Sequence, residues 1–273
     1  MPSSTTARNP HGIDIEFNEE NHLYKSVLPS GRTLIYDSVT TIVSKFFPKF
    51  DAERIAPFSA KKEGVTVKEI LEKWKKAGDD ACRLGTRVHE CCEDTLLNRE
   101  LRNTPENDRE KTVFDYAVAM ANKVKERIDI LGIEKIVFNE KLQIAGSIDL
   151  FARSKKDGSY LILDWKTNKE ITTSNKYGEV GLDPISHLED TAYNHYALQL
   201  SLYHFLLEHT GYVDPGVEFK HAIIHLTWEK PKIIMLPYMK DEINNIIIDH
   251  LASKVLSLQT IVERTKDVDT ESI

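Results

Sequence analysis

The chain has 273 residues, 41% of them hydrophobic and 29% charged, with a formal net charge of −7. That length holds one large domain, and that composition is ordinary for a globular protein. No apolar run approaches the roughly 20 residues of a membrane span, the leader MPSSTTARNPHG lacks a signal peptide's apolar segment, and the acidic balance argues only mildly against a polyanionic partner.

Residues 1–12 read as a disordered lead-in. From Ile13 to Tyr36 apolar and polar residues alternate around Glu19-Glu20-Asn21 and Pro29-Ser30-Gly31, which predicts short antiparallel strands. Ser38 is placed to N-cap a short helix running toward Phe47, with Pro48 ending it. Helical periodicity then covers about Asp51 to Leu131. It divides into Thr66–Lys76, Ala81–Arg99 and a long segment Asp108–Leu131, stopped by Gly132. Period two takes over from Ile133, giving strands through Ile136 and Phe138, through Leu142 to Leu150, and from Tyr160 to Asp164. A loop over Asn168–His187 precedes a helix at about Glu189–His209, strands Phe219–Trp228 and Lys232–Leu236, and a last helix at about Lys240–Glu263. The expected organisation is a single domain over 13–264, with a hairpin and helical part (13–132), a mixed-sheet core (133–264) and a frayed tail (265–273).

The densest chemistry lies between Ile144 and Thr167, where Asp149 ends one alternating run and Asp164-Trp165-Lys166 ends the next. Lys155-Lys156-Asp157-Gly158-Ser159 between them is a hairpin turn, so pairing brings two carboxylates and an ammonium to one end of a sheet. Such crowding is costly without a ligand, and a divalent cation relieves it. Asp149 and Asp164 supply hard oxygens, and the Trp165 backbone carbonyl is a third candidate. Lys166, two residues from Asp164, shares its face and can orient a water or steady developing negative charge. The bland alternative is a surface Asp/Lys pair. The continuous apolar run Leu161-Ile162-Leu163 argues against it, because it marks a strand buried on both faces. The arrangement points to metal-assisted phosphodiester cleavage.

His89, on a helix after Gly85, can complete a carboxylate metal shell, and Glu93 one turn on can hold a second cation or orient the ring. A lone histidine is more often structural. Gln199 and Tyr203, with His195 one turn earlier, form a polar stripe on an apolar helix. Facing a metal cluster or a nucleic-acid strand satisfies such a stripe, and solvent satisfies it equally. Glu140 is a weaker addition to the acidic group. Cys82, Cys91 and Cys92 form no CxxC pair, which fits a reducing, cytosolic compartment and gives too few soft ligands for a zinc or iron–sulfur centre.

Taken together, the Gly85-x-x-x-His89 helix, the Gly146-x-x-Asp149 strand, Asp164-Trp165-Lys166-Thr167 and Gln199-x-x-x-Tyr203 resemble the PD-(D/E)XK nuclease superfamily, and within it the RecB-type branch of phage and mitochondrial exonucleases. The resemblance implies an α/β, restriction-endonuclease-like mixed β-sheet core flanked by helices, with a helical N-terminal half. It also implies that His89, Asp149 and Asp164 bind Mg2+ or Mn2+, that Lys166 is catalytic, and that Gln199 and Tyr203 support the site and the DNA strand. Ile148 replaces the proline of the superfamily's name, as is common in this branch, and the lack of cysteine after Cys92 sets the chain apart from iron–sulfur members. The segment around Ser38 and Thr40 resembles a phage-type feature and offers hydroxyls to a phosphate, although plain capping explains Ser38 as well. Arg87 is placed to grip a DNA end. The expected function is a metal-dependent deoxyribonuclease, an exonuclease acting on DNA ends in recombination, repair or replication. The expected setting is a bacterial or phage-infected cytoplasm, with no membrane partner and with an oligomer left open. The alternatives are an endonuclease on the same core and a catalytically silent nucleic-acid-binding module.

Overall fold

The computed structural model describes residues 4–270. Four strands come first, β1 (Ser4–Arg8), β2 (Asp14–Asn18), β3 (Leu23–Val27) and β4 (Thr33–Ser38). Helices α1 (Val39–Lys45), α2 (Ala52–Glu63), α3 (Val67–Leu96) and α4 (Asp108–Lys125) follow. The second half runs β5 (Ile128–Asn139), β6 (Ile144–Ser154), β7 (Tyr160–Lys166), α5 (Ala192–His209), β8 (Phe219–His225), β9 (Lys232–Leu236) and α6 (Lys240–Thr270).

All nine strands form one mixed sheet, in the order β1-β2-β3-β4-β6-β7-β8-β9 with β5 also pairing β6. Two pairs are parallel, β4 with β6 and β7 with β8. This is the mixed α/β sheet with flanking helices that the resemblance implies. It is not confined to residues after 133, because the N-terminal strands enter it through β4.

Alternation along β7 and β8 explains the layers. Ile162 and Ile223 point into a core built with Leu198, Leu202 and Ile243 of α5 and α6. Leu163, Trp165 and Ile224 point the other way, onto Val88, Cys92 and Ala117 of α3 and α4. β7 is therefore buried on both faces, as its continuous apolar run requires. Cys91 and Cys92 are buried in the second core, and burial pushes the Cys91 thiol up to about 11.

Several boundaries differ from the sequence expectation. Ser4–Arg8, expected to be disordered, pairs along its length with β2, and Arg8 forms an ion pair with Asp14 at 2.7 Å. Thr66–Lys76 and Ala81–Arg99 are one continuous helix, α3. A mid-helix glycine such as Gly78 costs only about 1 kcal/mol relative to alanine, and a capping box between Thr66 and Glu69 nucleates the helix. α4 stops at Lys125 rather than Leu131, because Ile128–Asn139 pairs with β6 over its whole length, with a register shift between Ile130 and Gly132. α6 runs through Thr270, past the start of the tail expected to fray. Residues 1–3 and 271–273, the ends of the expected lead-in and tail, lie outside the described residues.

Away from the site, His204 and His221 are buried 3.1 Å apart, Nδ1 to Nε2. Burial, reinforced by neighbouring positive charge, lowers both rings to about 4. The unfolded chain therefore binds more protons than the folded one between about pH 6.5 and 4. Stability is expected to fall through that window as pH drops, by on the order of 3 kcal/mol. Urea unfolding at pH 7.5 and pH 4.5 checks this, and His221→Gln should flatten the dependence.

Candidate active site

β6 carries β5 along one edge from Ile144 to Ser154. Its other edge is shared. β4 pairs at Ile144 and Ala145, and β7 pairs from Leu150 to Arg153. The four residues between, Gly146 to Asp149, border a fork where β4 and β7 diverge. Asp149 and Asp164 sit where the β6–β7 ladder ends, and there the Asp149 carboxylate replaces a ladder carbonyl by accepting from the Trp165 amide at 2.8 Å. A glycine opens the fork. A Cβ on Gly146 would lie 2.8 Å from Tyr203 Cε1 and 3.1 Å from Val39 Cγ2, so only glycine lets α5 and α1 close over β6 here.

Asp164 is buried. Its Oδ1 accepts from Gln199 Nε2 at 3.1 Å, and its Oδ2 is ion-paired with the Lys166 ammonium. Burial and the Asp149 charge raise the Asp164 carboxyl, against the pull of Lys166. Burial works against the Lys166 charge too, but Asp164 and Asp149 outweigh it and hold the ammonium protonated. Its Nζ lies 4.8 Å from the centre of the Tyr196 ring, a cation–π contact, and the Tyr196 hydroxyl donates to Asn168.

His89 reaches the fork from α3. Its Nε2 donates to the Trp165 carbonyl at 2.7 Å, which leaves Nδ1 3.3 Å from Asp149 Oδ2. Burial opposes charge on the ring, but Asp149 and Asp164 together raise it. The Trp165 carbonyl, expected to face a cation, is thus occupied by His89, because a buried carbonyl takes whatever donor is in reach.

The sequence reading missed Glu134. On β5, between the pairs Ile133–Leu150 and Lys135–Ile148, it lies across from Asp149. His89, Glu134 and Asp149 each offer a ligand atom within 4.8 Å of the others. Two carboxylates and an imidazole suit Mg2+ or Mn2+, so the residues present fit the cation the family uses. Burial of the carboxyl, then the Asp149 charge, push Glu134 up to about 7. Part of the side chain is open to water, which moderates that repulsion. Its backbone is left-handed, φ 46°, and Ser147 Oγ donates to it at 2.8 Å. Nothing in a linear pattern marked it, since it lies in the strand expected from Ile133 and only the register of β5 on β6 sets it opposite Asp149. Glu140, ranked as the extra acid, instead binds Asn9 and His11 at 2.9 Å and ties down the N-terminal strands.

Glu93 carries an ion pair with Arg102, and its carboxylate lies outside the His89–Glu134–Asp149 group. His195 leaves the polar stripe to bind Asp190 at 2.7 Å and stack on Phe47. Ser38 is the N-cap of α1, accepting from the Thr41 amide at 3.0 Å with Thr40 Oγ1 also 3.0 Å away. Arg87 does not face the fork. It is half-buried against Glu110 at 2.9 Å, Glu106 at 3.0 Å and the Thr104 carbonyl, with Phe114 under the guanidinium. Arg87→Ala strands the buried Glu110 carboxylate and is expected to cost about 2–4 kcal/mol. An unchanged urea midpoint would contradict that structural role.

Among the described residues, no helix is long and apolar enough to cross a membrane. No curated protein matches the chain significantly. A family model described as the PD-(D/E)XK nuclease superfamily matches residues 56–267, from α2 through most of α6 and over every strand from β5 onward. That span covers most of the chain and includes the fork with its Asp149, Asp164 and Lys166, so the chain belongs to the PD-(D/E)XK nuclease superfamily.

Proposed function

We propose that this nuclease is a Mg2+- or Mn2+-dependent deoxyribonuclease of the RecB-type branch that digests DNA from its ends. One observation supports the chemistry above all: the fork gathers His89, Glu134 and Asp149 beside the Asp164–Lys166 pair. Asp149 and Glu134 supply the hard oxygens, His89 Nδ1 completes the set, and Gln199 holds Asp164 in place. Together they would hold a divalent cation, whose chemistry there would be polarisation of the phosphate and activation of water at neutral pH.

The protein's own contribution is positional and electrostatic. The water oxygen bonds to phosphorus as the P–O bond to the leaving sugar oxygen breaks, and that oxygen takes up a proton. Held as an ammonium by Asp164 and Asp149, Lys166 stands where charge accumulates on the phosphoryl oxygens, so it acts as a cation rather than as a base. Tyr196 and Gln199 fix the Lys166–Asp164 pair from the α5 side. Tyr203 packs on Gly146 and seats α5 against β6 beside the site.

End-labelled linear DNA and covalently closed circles, each incubated with and without Mg2+ or Mn2+, test the reading. Metal-dependent release of nucleotides from linear DNA alone is expected. Cutting of closed circles would instead identify an endonuclease on this core. No metal-dependent cutting of any DNA or RNA, with Lys166→Ala indistinguishable from wild type, would leave a silent binding module.

A further inference from the structure

The catalytic strand does not end at a blank surface. Leu226 donates to the Lys166 carbonyl at 2.8 Å, and two residues later the β8–β9 connection presents Trp228, 53% exposed. Two residues span at most ~7 Å of chain, so the indole stands close to the end of the strand that carries Lys166. On the other side α3 runs outward over the same strand end. His89 covers Trp165, Gly85 lies against Thr167, where an added Cβ would stand 3.5 Å from Thr167 Oγ1, and Leu84 comes next. Between them is a cleft of about 340 Å³, lined by Leu84, Val113, Asn107, Arg109 and Trp228 among others, at the small end of ligand pockets.

Its polar groups are not all alike. Asp80 is paired with Lys76 and Glu110 with Arg87, while Arg83 is paired with Glu106 outside the lining. Arg109 makes no ion pair among the described residues. Its guanidinium lies 5.3 Å from the centre of the Trp228 ring. An exposed indole with an uncommitted cation over it suits a flat aromatic ring that carries a phosphate. The loop is held from beneath, since the Tyr116 hydroxyl donates to the Glu229 carbonyl at 3.2 Å.

We propose that this cleft is a nucleotide subsite, in which an unpaired base of the strand being cut stacks on Trp228 while Arg109 takes the adjacent phosphate. The inference rests on the nuclease reading and names what the same site holds next to the cleaved bond. A base inside a duplex has both faces covered, so the subsite takes single-stranded nucleic acid or a frayed end. Stacking on an aromatic side chain tolerates any base, and Arg109 adds a salt-dependent contact.

The test uses the full chain and fluorescein-labelled single-stranded DNA, with Ca2+ in place of Mg2+ to suppress cleavage. Trp228→Ala is expected to weaken binding about 5- to 100-fold, while Trp228→Phe keeps most of it and Arg109→Gln flattens the salt dependence. Tryptophan fluorescence should be quenched by the oligonucleotide in wild type and in Lys166→Ala, and clearly less in Trp228→Phe, which keeps Trp74 and Trp165. One abasic nucleotide, walked along the strand, should weaken wild type at a single position and leave Trp228→Ala unaffected there. Wild-type affinity in Trp228→Ala, or equal abasic losses in both proteins, would overturn the subsite even if metal-dependent cleavage is intact. If wild type neither binds nor cuts any DNA or RNA, the nuclease reading fails and the subsite with it. Thermal melts of each variant identify any loss due to misfolding, and if Trp228→Ala misfolds the abasic walk and the difference in quench between wild type and Trp228→Phe decide.

Discussion

Lys166→Met is expected to lower metal-dependent cleavage by about 10²- to 10³-fold, the usual loss when one donor to a developing oxyanion is removed. The methionine keeps the apolar stem against Tyr196 but removes the ammonium that pairs with Asp164. Stability should change with a definite sign. Burial and Asp149 already raise the Asp164 carboxyl, and Lys166 opposes that rise. Without Lys166 the folded-state pKa climbs further above the unfolded value of about 3.9, so the variant binds an extra proton on folding and loses stability as pH rises through that value. The variant should be about 1–3 kcal/mol less stable than wild type at pH 8, with a smaller deficit at pH 5. Single-turnover cleavage and urea unfolding at the two pH values measure both effects. Cleavage within threefold of wild type would remove Lys166 from the reaction. A deficit that grows toward acid pH would refute the account of the Asp164–Lys166 pair.

Asp149→Asn is the second large expected effect, and it falls on cation affinity. The amide oxygen can still accept from the Trp165 N–H, so the junction of β6 and β7 should survive. What disappears is the charge that faces His89 and Glu134. Mn2+ affinity measured by calorimetry is expected to fall about 10²-fold or more, beyond the 10- to 100-fold typical of losing an outer-sphere partner, and cleavage should become undetectable. Relief of repulsion among Asp149, Glu134 and Asp164 should leave the unfolding midpoint unchanged or higher. Glu134→Gln should show a smaller loss in the same direction. Unaltered Mn2+ binding in Asp149→Asn would place the cation elsewhere.

Much of this site was legible in the linear chain because local chemistry carries it. Asp164 and Lys166 share a face through strand period alone, and the buried strand that carries them is written as Leu161-Ile162-Leu163. The turn at Lys155–Ser159 brings Asp149 alongside, since it folds β7 back antiparallel onto β6. Ser38 as an N-cap belongs to the same class, with a short-range rule pointing to the position.

The misreadings concern residues whose role depends on what lies opposite them. Arg87, one helical position from a functional face by sequence, turns inward because Glu110 of α4 offers a buried carboxylate. Glu140 is drawn to Asn9 and His11 by the β1–β2 turn, part of residues 1–12 that composition alone had made a disordered leader. Glu134 is the reverse case. Its part in the cation group follows from the register of β5 on β6, and register is a property of two strands together.

Residue types, periods and turns thus establish that two carboxylates and a lysine meet at a sheet end in a mixed α/β fold, because those rules act within about ten residues. The fork itself comes from long-range pairing. β4, more than a hundred residues upstream, takes one part of the β6 edge and β7 takes the rest. His89 from α3 meets Asp149 beside that gap, and Glu134 meets it from β5 on the opposite edge of β6, turning a charged pair into a candidate cation site.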